Sequence, residues 1–318
     1  MIEILIITFN RSSSLHKTLL SIQKSQLSSL KTTVIDNCST DLTEQTVAHF
    51  IESGKGNLRY IKNARNIGAG GNLMRAYELA TEDYLWIICD DDDYAFQNFK
   101  DVPRILQELR PDLLIVGSPI AESPEKIFHG LTGKLLDAKS LINTKLTLLL
   151  TFLPSAIISR SKLQKCDFGL GYKLISTNFP QFFWISEAIN NNWSLYVLPE
   201  AMVMRPNMHH GLDSDFVHMN GYIRGTGTIN DARLAKKAQE QYYGKNILEY
   251  AIFISKKIVK DKISGRFEIS QYIEQSLNAN TQRRLINLTL LSVLLIPNII
   301  LRKIVLIFAR KMKKNINN

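Results

Sequence analysis

Four apolar, largely β-branched runs divide the N-terminal part of the chain, and each breaks off in a polar cluster. They are residues 2–9, Thr32–Ile35, Leu58–Ile61 and Tyr84–Cys89. Between them lie segments with apolar residues at helical spacing: Leu15, Leu19 and Ile22, then Val47, Phe50 and Ile51, then Leu73, Ala76, Tyr77 and Ala80. Serines ahead of Leu15 offer N-cap hydroxyls, and Asp41 with Glu44 offers a capping-box start to the second helix. Strand and helix thus alternate four times. Such alternation implies an α/β fold, with a Rossmann-like, mostly parallel sheet flanked by helices. Ligands of such sheets bind at the carboxyl ends of the strands. The clusters Thr8–Arg11, Asp36–Asp41, Asn63–Gly71 and Asp90–Asp93 all fall there.

Beyond Tyr94 the pattern predicts a helix from Gln97 to Leu109, strands at Leu113–Val116 and Ala156–Ser159, a helix over Phe179–Asn190 and a strand at Ser194–Leu198. From about residue 229 the chain reads as helical with Lys-rich faces. The organisation expected is a catalytic-type domain over residues 1–228 and a helical region over 229–318. Within the first, 1–120 is the ligand-binding half and 121–228 the second half.

The charge is unevenly placed. The 318 residues carry a net charge of +10, but after Glu274 there is no acidic residue. Arg283, Arg284, Arg302, Lys303, Arg310, Lys311, Lys313 and Lys314 hold most of the excess, so the body is close to neutral and nucleic-acid binding is not expected. This tail, 283–318, is also apolar. It runs uncharged from Leu285 to Leu301, short of the roughly 20 residues of a spanning helix, and is interrupted by Pro297. Broken apolar helices flanked by basic residues suit a membrane interface facing anionic lipid. A helical pair packed on the body is the alternative. The opening MIEILIITFN has no basic leader, and three widely spaced cysteines fit a reducing compartment. The expected location is therefore cytoplasmic, peripheral at the inner face of the cell membrane.

The acidic run Asp90–Asp93 carries the strongest chemistry. Adjacent carboxylates at the end of a buried strand call for a compensating cation. Hard oxygen ligands suit Mn²⁺ or Mg²⁺. Residues two apart on an extended chain share a side, so Asp90 and Asp92 can face one metal. Asp36 and Asn37, just past the second strand, can read a base edge or a ribose hydroxyl. In NARNIGAGGN the glycines permit a tight turn, and Arg65 or Asn66 can meet phosphate or sugar. The dinucleotide fingerprint fails here, because Leu73 stands where its last glycine belongs.

Taken together, ITFNR at 7–11, VIDNCSTD at 34–41, RNIGAGGN at 65–72 and the DxD within CDDDD at 89–93 resemble family 2 glycosyltransferases. The resemblance implies a GT-A fold, a nucleotide-sugar donor, a divalent metal and inversion at the anomeric carbon. It implies that Thr8, Asn10 and Arg11 line the nucleotide pocket. Asp36 would bond the base, with Asn37 and Ser39 beside it. Arg65, Asn66 and Gly68 would border nucleotide and sugar. Asp90 would meet ribose or sugar and Asp92 the metal, with Asp91 and Asp93 replacing them on a shift of one. His209, or its neighbour His210, matches a late histidine that contacts metal or diphosphate in related enzymes. The acidic residue expected near Asn178 as catalytic base is absent, which leaves Asp167 and Asp213 ahead of Glu187 and Asp215 as candidates. The missing QxxRW signature points to single-sugar transfer, to a glycan or lipid-linked glycan acceptor. Alternatives are a sugar nucleotidylyltransferase, or a membrane-associated nucleotide-sugar-binding protein without catalysis.

Overall fold

A computed structural model describes residues 1–54, 56–118, 130–139, 142, 146–204, 215–243, 247–263, 265, 272 and 273. The strands are β1 (Ile2–Thr8), β2 (Lys31–Asp36), β3 (Asn57–Lys62), β4 (Tyr84–Cys89), β5 (Asp93–Tyr94), β6 (Leu113–Ile115), β7 (Gly117–Ser118), β8 (Leu135–Asp137), β9 (Ala156–Ser159), β10 (Ser194–Val197) and β11 (Val203–Met204). Helices α1 (Ser12–Gln23), α2 (Thr43–Glu52), α3 (Gly68–Leu79) and α4 (Val102–Glu108) connect the first of them.

Eight strands form one sheet in the order β3-β2-β1-β4-β9-β6-β10-β8. The block β3-β2-β1-β4 is wholly parallel, with Thr8 beside Asp36 and Ile7 beside Cys89. The chain builds outward from β1 through β2 to β3, then returns to lay β4 on the other side of β1. Strand order therefore reverses between β1 and β4, and a crevice at the carboxyl ends of such a pair is where open α/β sheets take ligands. Past β4 the sheet becomes mixed: β9 runs antiparallel to both β4 and β6, and β8 antiparallel to β10. A second sheet, β5-β11-β7, anchors the chain leaving the aspartate run.

Both faces of the parallel block are covered. Ile2, Ile4 and Ile6 of β1 pack with Leu15, Leu19 and Ile22 of α1, Val47 and Phe50 of α2, and Trp86 of β4. This period of two leaves Glu3, Leu5 and Ile7 for the other face. Leu5 is fully buried, and α3 lies against β1 and β2. There the Trp184 indole donates to the Tyr77 hydroxyl at 2.9 Å, and Phe183 meets Tyr77 edge-on.

Three local expectations change. Glu44 does not complete a capping box but pairs with Lys62 at 2.8 Å, while Asp41 accepts from the Thr43 amide at 3.0 Å and the Ser12 amide at 2.9 Å. The segment expected as one helix from Gln97 is a 3-10 turn, Phe96–Asp101, followed by α4, and Leu109 lies beyond its end. Pro103 in the first turn of α4 suits a new helix start, where its missing N–H costs nothing. The helix expected from Phe179 begins at Phe182. Asn178 is left-handed (φ 63°), and Pro180 disfavours helical backbone at Phe179.

The chain divides into two compact units. The first comprises Met1–Met208 with Gly225–Ala238, so the boundary expected at 228 falls inside a segment this unit keeps. The second comprises His209–Arg224 with Gln239–Asn318, and in its described part Tyr222 stacks on Tyr242 with ring centroids 4.9 Å apart. Among the described residues no helix is long and apolar enough to cross a membrane. The tail 283–318 lies outside the described residues.

Candidate active site

At the β1/β4 crevice the last residue of β1 and the first residue past β4 meet. Thr8 donates its hydroxyl to Asp90 Oδ2 at 2.6 Å, and Arg11 Nη1 lies 3.1 Å from Asp90 Oδ1. The same guanidinium nitrogen is 2.6 Å from Asp91 Oδ2. From α1, the Thr18 hydroxyl reaches the Asp90 carbonyl at 3.3 Å. Asp90 is buried, and desolvation raises its pKa even though the bonds from Thr8 and Arg11 pull the other way. For Arg11, burial lowers the pKa, but attraction to Asp90 and Asp91 outweighs it and the net shift is upward.

At the end of β2, Asp36 is fully buried. Its Oδ1 accepts from the Ser39 amide at 3.0 Å and from the Ser39 hydroxyl, and its Oδ2 from the Tyr60 hydroxyl at 2.6 Å. Cys38 takes a left-handed backbone (φ 69°), which turns Ser39 back toward Asp36. Ser39 Oγ in turn accepts from the Asn10 amide at 2.8 Å, and Asn10 Oδ1 from the Thr40 amide at 2.8 Å. Asp36 thus ties the β2 loop to the β1 loop, with its carboxylate occupied by protein donors.

The third loop hangs on asparagines. Asn72 of α3 donates to the Ile35 carbonyl at 3.1 Å and accepts from Asn63 at 2.9 Å. Asn63 also donates to Asn37, and Asn37 donates to Asn66 at 2.8 Å while accepting the Ile67 amide at 3.0 Å. Asn66 receives the Gly68 amide at 2.8 Å, and Gly68 has φ +77°, a conformation that favours glycine. Arg65, Asn66 and Gly68 are exposed on this framework, beside the crevice edge.

The aspartate run has four different environments. Asp90 faces inward to Thr8 and Arg11. Asp91 is exposed and Asp92 half-buried, and their carboxylates lie with the Cys89 thiol within 4.8 Å of one another. Asp93 starts β5, with Met204 opposite. The donor chemistry fits a hard divalent cation on Asp91 and Asp92. Cys89 is a poor partner for such an ion, because burial, then Asp92, Asp91 and Asp90, push its thiol well above the usual range and keep it protonated. Asp92 was expected on the metal, with Asp90 meeting ribose or sugar or facing the same ion; here both Asp90 oxygens accept protein donors, and it is the carboxylates of Asp91 and Asp92 that lie together.

Other expected residues fall elsewhere. Asp167 heads the short helix Phe168–Lys173 and is exposed. The segment leading to it starts with Arg160, which bonds the Asp83 and Ala80 carbonyls at the amino end of β4, at the edge opposite the crevice. Glu187 holds Asn191. His209, His210 and Asp213 lie outside the described residues. Phe9 and Tyr60 were not anticipated. Phe9 leaves 40 % of its surface exposed between Thr8 and Asn10. Tyr60 could be found from its register opposite Val34, two residues before Asp36.

The family model for glycosyl transferase family 2 matches residues 3–165, which covers β1 through β9. An abequosyltransferase of Salmonella typhimurium is 25 % identical over 269 residues, 78 % of this chain and 77 % of its own length. The fold is similar to that of Staphylococcus aureus TarS 1-349 in complex with UDP-GlcNAc, with a TM-score of 0.59, 19 % identity, and coverage of 86 % of this chain and 79 % of that one. It is also similar to a Pyrobaculum calidifontis mannosyltransferase in complex with GDP-Man and Mn²⁺, with a TM-score of 0.58, 11 % identity, and coverage of 92 % and 86 %. With the parallel block, its switch point and the acidic crevice all inside the matched segment, the chain belongs to glycosyl transferase family 2.

Proposed function

We propose that the protein transfers a single sugar from a nucleoside-diphosphate sugar to a glycan acceptor carried on a lipid, at the inner face of the cell membrane. The observation that carries this reading is the convergence of Thr8, Arg11, Asp90, Asp91 and Asp92 at the β1/β4 switch point, with Phe9 exposed next to Thr8 in the chain. An exposed aromatic beside polar groups suits the flat face of a base. Asn10, Arg65 and Asn66, exposed on the loops that follow β1 and β3, offer further donors and acceptors. Asp36, Asn37 and Ser39 hold those loops in place, and Asp36 acts through them. The S. typhimurium abequosyltransferase supports a saccharide acceptor, and the basic, apolar tail supports a lipid-linked one.

In the reaction, the acceptor hydroxyl attacks the anomeric carbon as the bond to the diphosphate breaks, and a base takes the hydroxyl proton. Attack from the face opposite the leaving group inverts the centre. Asp91 and Asp92 would hold a divalent ion, which supplies positive charge to the departing diphosphate. Asp213 and Asp167 are retained as the candidates for the base. His209 is retained as a contact to metal or diphosphate.

The test is a panel of nucleotide sugars with Mn²⁺ or Mg²⁺, read by release of nucleoside diphosphate, with the anomeric configuration of the product read by NMR. Turnover of at least one donor is expected, falling 100-fold or more in Asp92→Ala, on the order of the loss seen when charge stabilisation at a leaving group is removed. Hydrolysis of no donor with either ion would sink the proposal. Binding without turnover, across a broad acceptor panel, would favour a non-catalytic binder.

A further inference from the structure

We infer that Arg11 competes with the divalent ion for Asp91, so that metal and nucleotide enter the site as a coupled pair and neither binds well alone. This rests on the metal-assisted reading above. Nη1 of Arg11 lies 2.6 Å from Asp91 Oδ2 and 3.1 Å from Asp90 Oδ1. An ion ligated by that Asp91 oxygen would lie within about 5 Å of the guanidinium nitrogen, close enough for the two cations to repel. Asp91 cannot serve both cations well. Arg11 is half exposed, with its side chain at 51 %. Its guanidinium can therefore leave Asp91 without unpacking the core, while Asp90, at 2 %, stays buried behind it. A nucleoside diphosphate gives the guanidinium a destination, since its planar fork matches phosphate oxygens. Once Arg11 turns to the phosphates, Asp91 is released to join Asp92 on the ion. In the empty site Arg11 offsets part of the carboxylate charge at Asp90 and Asp91, and in the loaded one the ion would take over that role at Asp91 while Arg11 meets the diphosphate.

Linkage makes this measurable, because nucleotide must raise metal affinity by the same factor as metal raises nucleotide affinity. Mn²⁺ binding to the full chain is measured by electron paramagnetic resonance, with and without UDP, CDP or GDP. Wild type is expected to bind Mn²⁺ weakly alone and at least about tenfold more tightly with a nucleoside diphosphate. Arg11→Gln is expected to bind Mn²⁺ alone about tenfold more tightly than wild type, with the enhancement by nucleotide largely lost. Arg11→Lys, which keeps the charge, is expected to retain weak binding and most of the coupling. Circular dichroism establishes that each variant is folded, and the lysine variant carries the comparison if the glutamine variant is not. Unchanged or weaker Mn²⁺ binding in Arg11→Gln, with nucleotide enhancement intact, overturns the inference and leaves the metal-assisted reading standing. Strong Mn²⁺ binding by Arg11→Lys alone overturns it too. Failure of wild type to bind Mn²⁺ even with nucleotide overturns both.

Discussion

Asp90 shows how one residue can trade stability for a site. Its carboxylate is desolvated, and the bonds from Thr8 and Arg11 do not fully offset the loss of water, so its pKa rises above the ordinary 3.8. A raised carboxylate pKa means the folded chain holds a proton more tightly than the unfolded one. The ionised group then costs stability at every pH above the raised value. That cost shrinks as pH falls through the raised value and is gone below about 3.8. Asp90→Asn keeps the shape and removes the charge. It is expected to raise the Tm of the ligand-free protein at pH 7 by about 1–3 °C, while weakening donor binding through the loss of the Arg11 pair. Its advantage in Tm should narrow on acidification across that window. Calorimetry from pH 7 to pH 4 checks the sign, and an advantage that grew on acidification would contradict it.

At the scale of elements, what could be read early was whatever local pattern decides. β4 falls at Tyr84–Cys89 as the apolar run indicates, and α3 carries Leu73, Ala76 and Tyr77 into the core, with Ala80 buried just past its end. Four polar clusters at four strand ends were enough to bring Thr8, Asp36, Asn63 and Asp90 to one edge. What local pattern leaves undecided is pairing. Nothing in AIIS indicates that β9 runs antiparallel between β4 and β6, and nothing in DDDD says which oxygen meets Thr8. Tertiary contacts decide both. Glycines show the same limit, because nothing local says why a glycine stands at position 171. A Cβ there would clash with Met74 Cε and come within 2.7 Å of its sulfur and 3.1 Å of Phe183 Cδ1, where the helix Phe168–Lys173 meets α3. Met74 and Phe183 are both buried, so they have little room to yield. Gly171→Ala is expected to cost about 1–3 kcal/mol. Urea unfolding should show a lower midpoint at an unchanged slope, and a midpoint equal to wild type would mean that this helix crossing repacks freely.

At the scale of the whole molecule, charge separates two tasks. The net +10 first suggests a generally basic protein, yet the crevice is acidic and most of the basic excess lies after Glu274. A basic surface spread over the body would draw polyanions to every face. On the reading proposed above, a basic, apolar tail would instead draw the chain to an anionic bilayer and leave the crevice to a divalent cation. Each Lys or Arg near an anionic surface contributes on the order of 1 kcal/mol, within a Debye length of about 8–10 Å. If only four of the eight in the tail reach the surface they would contribute about 4 kcal/mol, which is marginal alone, so stable attachment would need the apolar run from Leu285 as a second part that salt does not screen. Full-length protein should co-sediment with phosphatidylglycerol vesicles at low salt, and only partly detach at 1 M salt. It should bind phosphatidylcholine vesicles more weakly. A chain ending at residue 282 should stay in the supernatant with both. If the shortened chain sediments like the full one, the tail is not the anchor. If the full chain ignores both lipids and the shortened one loses several degrees of Tm, the tail is a helical pair packed on protein, and the acceptor need not be presented at a membrane.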